Sequence, residues 1–266
     1  MIAALVASAG LGGLFGALGS RRNLVSTPDE RALWVTAGVV GGPLALAEYC
    51  GVLWVKNLLP GVAIPLVPAA FTVTAVSGFL GATLTPSLDD SDRCSRGAAS
   101  FALKWVRSPL ATTAGLLAAL GVRVSSRPVD FRRGMLFIDV WPGGGALALG
   151  AVGWCRARCF DDQRCMSDAL ARHEAVHSRT VAAVGELGFY LTYLTAGVLW
   201  ARIQGGPWNS LTPGGCGQPF EKTAHTYTGD PAVARPCSRR IRGAAAPKEV
   251  SPGGRPDAAP AGPAPE

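Results

Sequence analysis

The sequence predicts a mainly α-helical membrane protein, in which three N-terminal transmembrane helices precede a small α+β domain. Apolar residues make up 48% of the 266 residues and charged residues only 16%, which is more apolar than an ordinary soluble protein. Three long apolar stretches lie before residue 85, and short alternating segments follow after residue 121. We therefore divide the chain into a membrane domain (1–84), a polar linker (85–98), a second domain (99–228) and a tail (229–266).

The first predicted span covers residues 2–19, an uncharged apolar run close to the shortest that can cross a bilayer. A signal peptide would carry basic residues before its apolar core, and none precedes this run. Arg21 and Arg22 follow it directly, as they do at the end of a membrane anchor. The pattern favours an uncleaved membrane helix.

The second predicted span covers residues 32–55. Trp34 and Trp54 lie 20 residues apart, about 30 Å along a helix, which suits an aromatic ring at each membrane face. Glu48 lies within this span. An intramembrane carboxylate is costly and often functional, and the alternative is a carboxyl group that faces a partner helix.

The third predicted span covers residues 58–84, where several prolines predict a kinked helix that starts late. The prolines are Pro60, Pro65 and Pro68.

Basic residues cluster in two places, the connection between spans one and two and the region after span three, whereas one lysine lies between spans two and three. The positive-inside rule then places the first connection and the C-terminal domain in the cytoplasm. The basic residues are Arg21, Arg22 and Arg31 near the first connection, Lys56 between spans two and three, and Arg93, Arg96, Lys104 and Arg107 after span three.

The formal net charge is +7, but no Lys/Arg-rich run is interleaved with aromatic residues. We therefore expect no nucleic-acid partner and attribute the charge to membrane topology and to a basic tail. The tail from residue 229 is rich in Pro, Ala, Gly and Arg and is predicted to be disordered. Its arginines are candidates for contact with anionic lipid.

After the linker, residues 99–121 predict an apolar helix whose clean apolar part is too short to span a membrane. It is expected to be interfacial or packed on the second domain. Alternating segments within 122–124, 135–140 and 146–152 then predict short strands, with a hairpin at the Gly-rich turn 141–145. A fourth membrane span over this region is the alternative, and a Pro and an Asp within it make that less favourable.

The sequence His173-Glu174-Ala175-Val176-His177 carries the chemistry. On a helix the two imidazoles lie one turn apart on one face and can share a metal ion, with Glu174 beside it to hold or deprotonate a water. Ser167 or Asp168 is a plausible N-cap for a helix over about 168–185. Polar flanking residues (Arg172, Ser178 and Arg179) predict that this helix is not immersed in lipid. The alternative is a helix with solvated His and Glu side chains.

A catalytic zinc site needs a third protein ligand. Glu186 follows His177 by nine residues, about 13 Å along a continuous helix, so it faces away. Residues 187–203 predict an apolar helix that is interfacial or buried in protein, and Glu221 follows on a new short helix, which makes it the preferred ligand. His225 is an alternative ligand or a hydrogen-bond partner of one, and Tyr227 is either an oxyanion donor or a surface residue.

This order of motifs resembles the gluzincin membrane peptidases, among them the HtpX-like and CAAX-prenyl-protease-like proteins and the peptidase domains of β-lactam-sensing antirepressor receptors. The resemblance covers about residues 134–228 and depends mainly on His173–His177. Those families typically read Glu-x-x-Ala-Asp on the later helix, whereas residues 221–225 keep Glu and Ala and replace Asp with His. The resemblance implies a zincin-like domain, Zn²⁺ as cofactor and a peptide or protein substrate.

We therefore expect an integral cell-membrane protein with a cytoplasmic zinc metallopeptidase domain. His173, His177 and Glu221 are the expected zinc ligands, and Glu174 is the expected catalytic base. The alternative is a non-catalytic integral membrane protein with a structural or interaction role. A transporter component is disfavoured because the chain has few spans and shows no internal repeat.

Overall fold

The computed structural model describes most of the chain up to residue 224. The described residues are 1–23, 25, 27–57, 65–89, 94–121, 129–140, 146–155, 167–204, 218, 220, 221, 223 and 224. The predictions that lie outside them concern the strand at 122–124, the turn at 141–145, His225, Tyr227 and the disordered tail from 229. The elements in chain order are α1 (Ile2–Arg22), α2 (Pro28–Asn57), α3 (Leu66–Asp89), α4 (Cys94–Arg107), α5 (Pro109–Gly121), β1 (Val129–Arg132), β2 (Met135–Asp139), β3 (Ala146–Leu149), β4 (Val152–Cys155), α6 (Asp168–Val184) and α7 (Glu186–Gln204).

Helices α1, α2 and α3 are each long and apolar enough to cross a membrane, which confirms the three predicted N-terminal membrane helices at that level. The third begins at Leu66, later than the apolar run, as the prolines predicted. It continues to Asp89, and α4 begins at Cys94. Both ends of the stretch predicted as a linker are therefore helical.

Glycines bring α1 and α2 into close contact. A Cβ atom added at Gly12 would lie 2.0 Å from the Gly38 carbonyl oxygen, and one at Gly42 would lie 1.9 Å from the Ser8 carbonyl oxygen. Small residues of this kind allow the backbones of membrane helices to approach, which is how such helices gain packing energy without a hydrophobic driving force. Helices α1 and α2 therefore form a tight pair that supports the rest of the molecule.

Trp34 does not form the predicted interfacial ring, because its side chain is only 1% exposed. The indole lies against Gly19 and in one core cluster with Phe15 and Val184. Trp54, by contrast, is 57% exposed, and its position at a membrane face stays a prediction. A tertiary contact that is invisible in the sequence draws Trp34 inward.

Strands β1 to β4 form one sheet in the order β1-β2-β4-β3. A hairpin with positive φ at Arg133 (52°) and Gly134 (62°) joins β1 to β2, as in a type I′ turn. A second hairpin at Gly150 joins β3 to β4, and β2 runs parallel to β4. The predicted hairpin across residues 141–145 is therefore wrong, since the strands on either side do not pair, and the turn itself lies outside the described residues.

The predicted helix over 99–121 is divided in two. Helix α4 ends at Arg107 and α5 begins at Pro109, because proline lacks the N–H that would continue the helix. Helix α5 lies on strands β3 and β4, where a Cβ atom at Gly115 would be 3.0 Å from the Val152 side chain. The short apolar helix thus packs on the sheet, one of the two positions expected for it.

Glu186, the first residue of α7, contacts the N-terminus of α5. The Glu186 carboxylate accepts hydrogen bonds from the backbone N–H groups of Leu110 (3.0 Å) and Ala111 (2.7 Å), which caps the N-terminus of α5. It also neighbours the Glu48 carboxyl group and the Arg107 guanidinium. Glu48 therefore faces a partner helix, and Glu186, as expected, lies away from the two histidines.

An ionic cluster attaches the membrane helices to α6. Asp89, at the end of α3, lies 2.9 Å from the Lys104 ammonium and 2.7 Å from Nε of Arg179, and all three side chains are 0% exposed. The Lys104 ammonium also donates to the carbonyl oxygen of Arg133 in the β1–β2 turn. The cluster thus joins α3, α4, α6 and the sheet.

Candidate metal centre

Helix α6 begins and ends with recognisable caps. The Ser167 hydroxyl accepts a hydrogen bond from the Leu170 N–H at 3.4 Å, and the helix ends before Gly185, whose φ is 87°. Both the predicted cap and the predicted range are close to those observed. From His173 to Val184 every side chain of the helix is buried, so the motif lies inside protein and not on a solvated face.

Three ligand atoms converge on one point. The Nε2 atoms of His173 and His177 are 3.2 Å apart. The Glu221 carboxylate oxygens lie 3.2 Å from Nε2 of His173 and 3.3 Å from Nε2 of His177. Tetrahedral zinc, at about 2.0–2.1 Å from each ligand, separates its ligand atoms by about 3.3–3.4 Å. The two imidazole nitrogens have about this spacing, and each of them has it to a different oxygen of Glu221. The three residues therefore form a candidate zinc-binding group.

Tyr193 orients the carboxylate of the third residue. Its hydroxyl donates a hydrogen bond of 2.5 Å to Oε1 of Glu221. Burial and the adjacent negative charge raise the pKa of Tyr193, so the phenol keeps its proton and remains a donor. For Glu221, burial alone would raise the pKa, but the two imidazoles hold it well below its ordinary value. The carboxylate is thus available as a charged ligand.

The short segment that carries Glu221 is held from three directions. The Gln218 side chain accepts hydrogen bonds from the backbone N–H groups of Phe220 (2.8 Å) and Glu221 (3.3 Å). The Phe220 ring packs on Phe189 and Tyr193 of α7. The Thr223 hydroxyl donates to Glu30 of α2 at 3.0 Å. The membrane domain therefore helps to position the candidate ligand.

Glu174 lies beside these three residues and is itself buried. Burial raises the pKa of its carboxyl group to about 7, with His173 acting against the increase and Glu221 adding to it. Its carboxylate accepts a hydrogen bond from the Ala148 N–H of strand β3. A carboxyl group with this pKa can both accept and release a proton near neutral pH.

A cavity of about 240 Å³ opens beside the candidate ligands. Its lining is mostly apolar, apart from His173, Glu174, His177 and Glu221, and comes from strand β3 and helix α7: Ala146, Leu147, Ala148, Phe189, Tyr190, Tyr193 and Leu194. The Tyr190 hydroxyl accepts from the Gly150 N–H at 3.0 Å and so ties α7 to the β3–β4 turn. The cavity therefore has room for a side chain of a bound molecule next to these four polar residues.

The C-terminal end of α6 lies among the membrane helices. A Cβ atom added at Gly41 of α2 would lie 2.0 Å from the Val184 carbonyl oxygen, and His177 is seven residues, or about 10 Å, earlier in α6. Polar residues of α6 are satisfied within the protein, since Ser178 donates to the Gly150 carbonyl oxygen and Arg179 binds Asp89. The polar residues beside the motif therefore do not prevent α6 from packing against the membrane helices.

Two sequence candidates, His225 and Tyr227, lie outside the described residues. The structure brings together the other four: His173, Glu174, His177 and Glu221. Sequence reasoning missed Tyr193 and Gln218, which hold Glu221 in place. One signal was present for the tyrosine, because Tyr190 and Tyr193 share a face of α7, three residues apart.

We expect Tyr193→Phe to weaken zinc binding by roughly 10- to 100-fold, because it removes the hydrogen bond that orients Glu221. Tyr190→Phe is the matched control, since its hydroxyl bonds to the Gly150 N–H and does not reach the ligands. Zinc affinity is measured by competition with a chromophoric chelator. Equal affinity of the two variants would contradict the role given to Tyr193.

No protein-family model, curated protein or solved structure matches this chain.

Proposed function

We propose that the protein is a membrane-embedded, zinc-dependent metallopeptidase. The observation that carries the proposal is the convergence of two imidazoles and one carboxylate within 3.3 Å, next to the buried Glu174 and beside an open cavity. Two His and one Glu, with a free fourth position, are a donor set of hydrolytic zinc sites. The apolar helices α1–α3 support a lipid environment for this site.

Bound zinc would acidify water and polarise the carbonyl of the scissile peptide bond. Glu174 would accept one proton of the attacking water while the water oxygen bonds to the carbonyl carbon. When the C–N bond breaks, Glu174 would pass that proton to the leaving amine nitrogen. One carboxyl group thus takes both proton-transfer steps, as a positioned general acid–base group does.

Strand β3 supports an extended peptide as substrate. Within the described residues it pairs only with β4, and its other edge lies at the cavity. The two-residue turn makes Leu149 and Val152 a hydrogen-bonded pair, so Ala146 and Ala148 direct their backbone groups away from β4. The outward N–H of Ala148 already donates to Glu174 and its carbonyl oxygen accepts from the Tyr190 hydroxyl at 3.4 Å, so a peptide added along this edge would pair with the backbone groups of Ala146.

Glu30 supports a proposed orientation in the membrane. This residue lies in the first turn of α2 and contacts Thr223, so the α1–α2 connection and the site lie on the same side. That connection is flanked by Arg21, Arg22 and Arg31. By the positive-inside rule this side is the cytoplasm, which we propose as the location of the site.

Metal analysis of the purified protein is the first test. We expect about one zinc per chain in wild type, because its three ligands are complete, and a large loss of zinc in His173→Ala and in Glu221→Ala. Asp29→Asn, which alters an exposed acid on α2, should keep the wild-type content. Wild type without metal would contradict the proposal, and bound zinc without peptidase activity would favour a non-catalytic integral membrane protein.

A further inference from the structure

Helix α7 presents an apolar face to the outside of the molecule. Four residues form this face, at spacings of three and four that place them on one side of a helix. Their exposed fractions are between 36% and 53%, large values for apolar side chains of this size. We refer to Leu187, Leu191, Leu194 and Val198 as the outer face of α7.

The position of α7 along α2 gives the depth of this face. A Cβ atom added at Gly188 would lie 2.3 Å from Cα of Gly41, and Gly41 is near the middle of the 30-residue helix α2. If α2 crosses the bilayer, its midpoint lies near the centre of a hydrocarbon layer about 30 Å thick. Val198 follows Gly188 by ten residues, at most about 15 Å along the helix axis. The whole outer face therefore lies within hydrocarbon depth.

The opposite face of α7 belongs to the candidate metal centre. Phe189 and Tyr193 contact the His177 ring, and Phe220 returns to pack on both of them. The chain after α7 thus comes back to the same side of the membrane that α6 entered from. Helix α7 therefore has one face on the candidate metal centre and one exposed apolar face.

Leu194 belongs to both surfaces, since it is part of the outer face and also lines the cavity. We propose that the outer face of α7 contacts lipid acyl chains and that the cavity opens to the bilayer past Leu194. Ligands would then enter the cavity sideways from the membrane. The substrate class that follows, peptide segments that reside in the bilayer, rests on the proposed function. The lipid contact is independent of catalysis.

Lipid is favoured over a second copy of the chain because a candidate membrane helix of the same molecule exposes apolar side chains in the same way. Val76 and Phe79, in the middle of the membrane helix α3, are exposed to a similar degree. Such apolar side chains in the middle of a membrane helix need no protein partner, because acyl chains are as apolar as they are.

Photo-crosslinking of the full-length protein in liposomes tests the proposal. p-Benzoylphenylalanine is placed at Leu191, at Leu194 or at Leu147, which lines the cavity on the strand side. The liposomes are phosphatidylcholine with phosphatidylglycerol, and lipid adducts are measured by intact mass after illumination. The control is position 172, whose arginine side chain is 43% exposed but which lies twelve residues, about 18 Å, before Val184.

We expect lipid adducts at positions 191, 194 and 147, at least fivefold more abundant than at 172. An adduct at 191 without one at 194 or 147 would overturn the opening of the cavity, and a crosslinked dimer at 191 would identify a second copy as the occupant. Equal labelling at all four positions, or none, would overturn the proposal as a whole. Repeating the experiment with Glu174→Gln separates it from catalysis, since lipid contact should be unchanged even if the peptidase assignment fails.

Discussion

The Glu174→Gln variant is expected to cleave peptides about 10²- to 10⁴-fold more slowly than wild type, the usual contribution of a positioned general acid–base group. Glutamine keeps the size of the side chain but can neither take a proton from water nor return it to the leaving amine. The ligands His173, His177 and Glu221 are untouched, so zinc content should stay at the wild-type level. Loss of rate with retention of metal is therefore the expected signature.

The measurement uses protein in liposomes with a pool of acyl-anchored peptides, and mass spectrometry follows the products over time. Asp29→Asn serves as the control, because Asp29 is an exposed acid on α2 that does not line the cavity. This variant should cleave at the wild-type rate. A Glu174→Gln protein that holds zinc and cleaves as fast as wild type would remove Glu174 from the mechanism. Equal slow rates in all three proteins would point to a contaminating protease.

The sequence was most informative where chemistry depends on local spacing. Four residues of helix suffice to place His173 and His177 on one face, so their approach could be predicted without any tertiary information. Glu221 could be preferred only by elimination, because its return to the histidines depends on how α7 and the following chain pack. Tyr193 holds Glu221 through a contact across 28 residues, which also depends on that packing. Gln218 acts from three residues away, through the Glu221 N–H.

The fold was predictable to a similar extent. Long apolar runs indicated α1 to α3, but the sequence could not show that Trp34 is buried against α1 and α6. The sheet order was missed because the parallel pairing of β2 with β4 joins strands that are not neighbours in the chain. The turn at Arg133-Gly134 could have been predicted, since this pair fits a two-residue hairpin. The longer Gly-rich segment was predicted as the hairpin turn instead.

The Asp89→Ala variant is expected to lose about 3–5 kcal/mol of unfolding free energy, the cost of leaving buried charges without their partner. Asp89 is the shared counter-ion of Lys104 and Arg179, and the side chains of both are 0% exposed. Its stretch of sequence looked like a polar linker, because nothing local indicates that Lys104 and Arg179 converge on it. Unfolding in mixed detergent micelles by a denaturing detergent gives the measurement.

Asp168→Ala is the matched control for this prediction. Asp168 also binds two cations, Arg133 and Arg172, but its side chain is 44% exposed, so solvent screens the charges left behind and we expect a loss of about 1 kcal/mol or less. Adding Lys104→Met to Asp89→Ala should recover part of the lost stability, because it removes one of the two buried cations that have lost the Asp89 carboxylate. Equal losses at Asp89 and Asp168, or no recovery in the double variant, would show that burial of the charges is not what makes Asp89 important. The cluster would then not be the element that fixes the motif helix to the membrane domain.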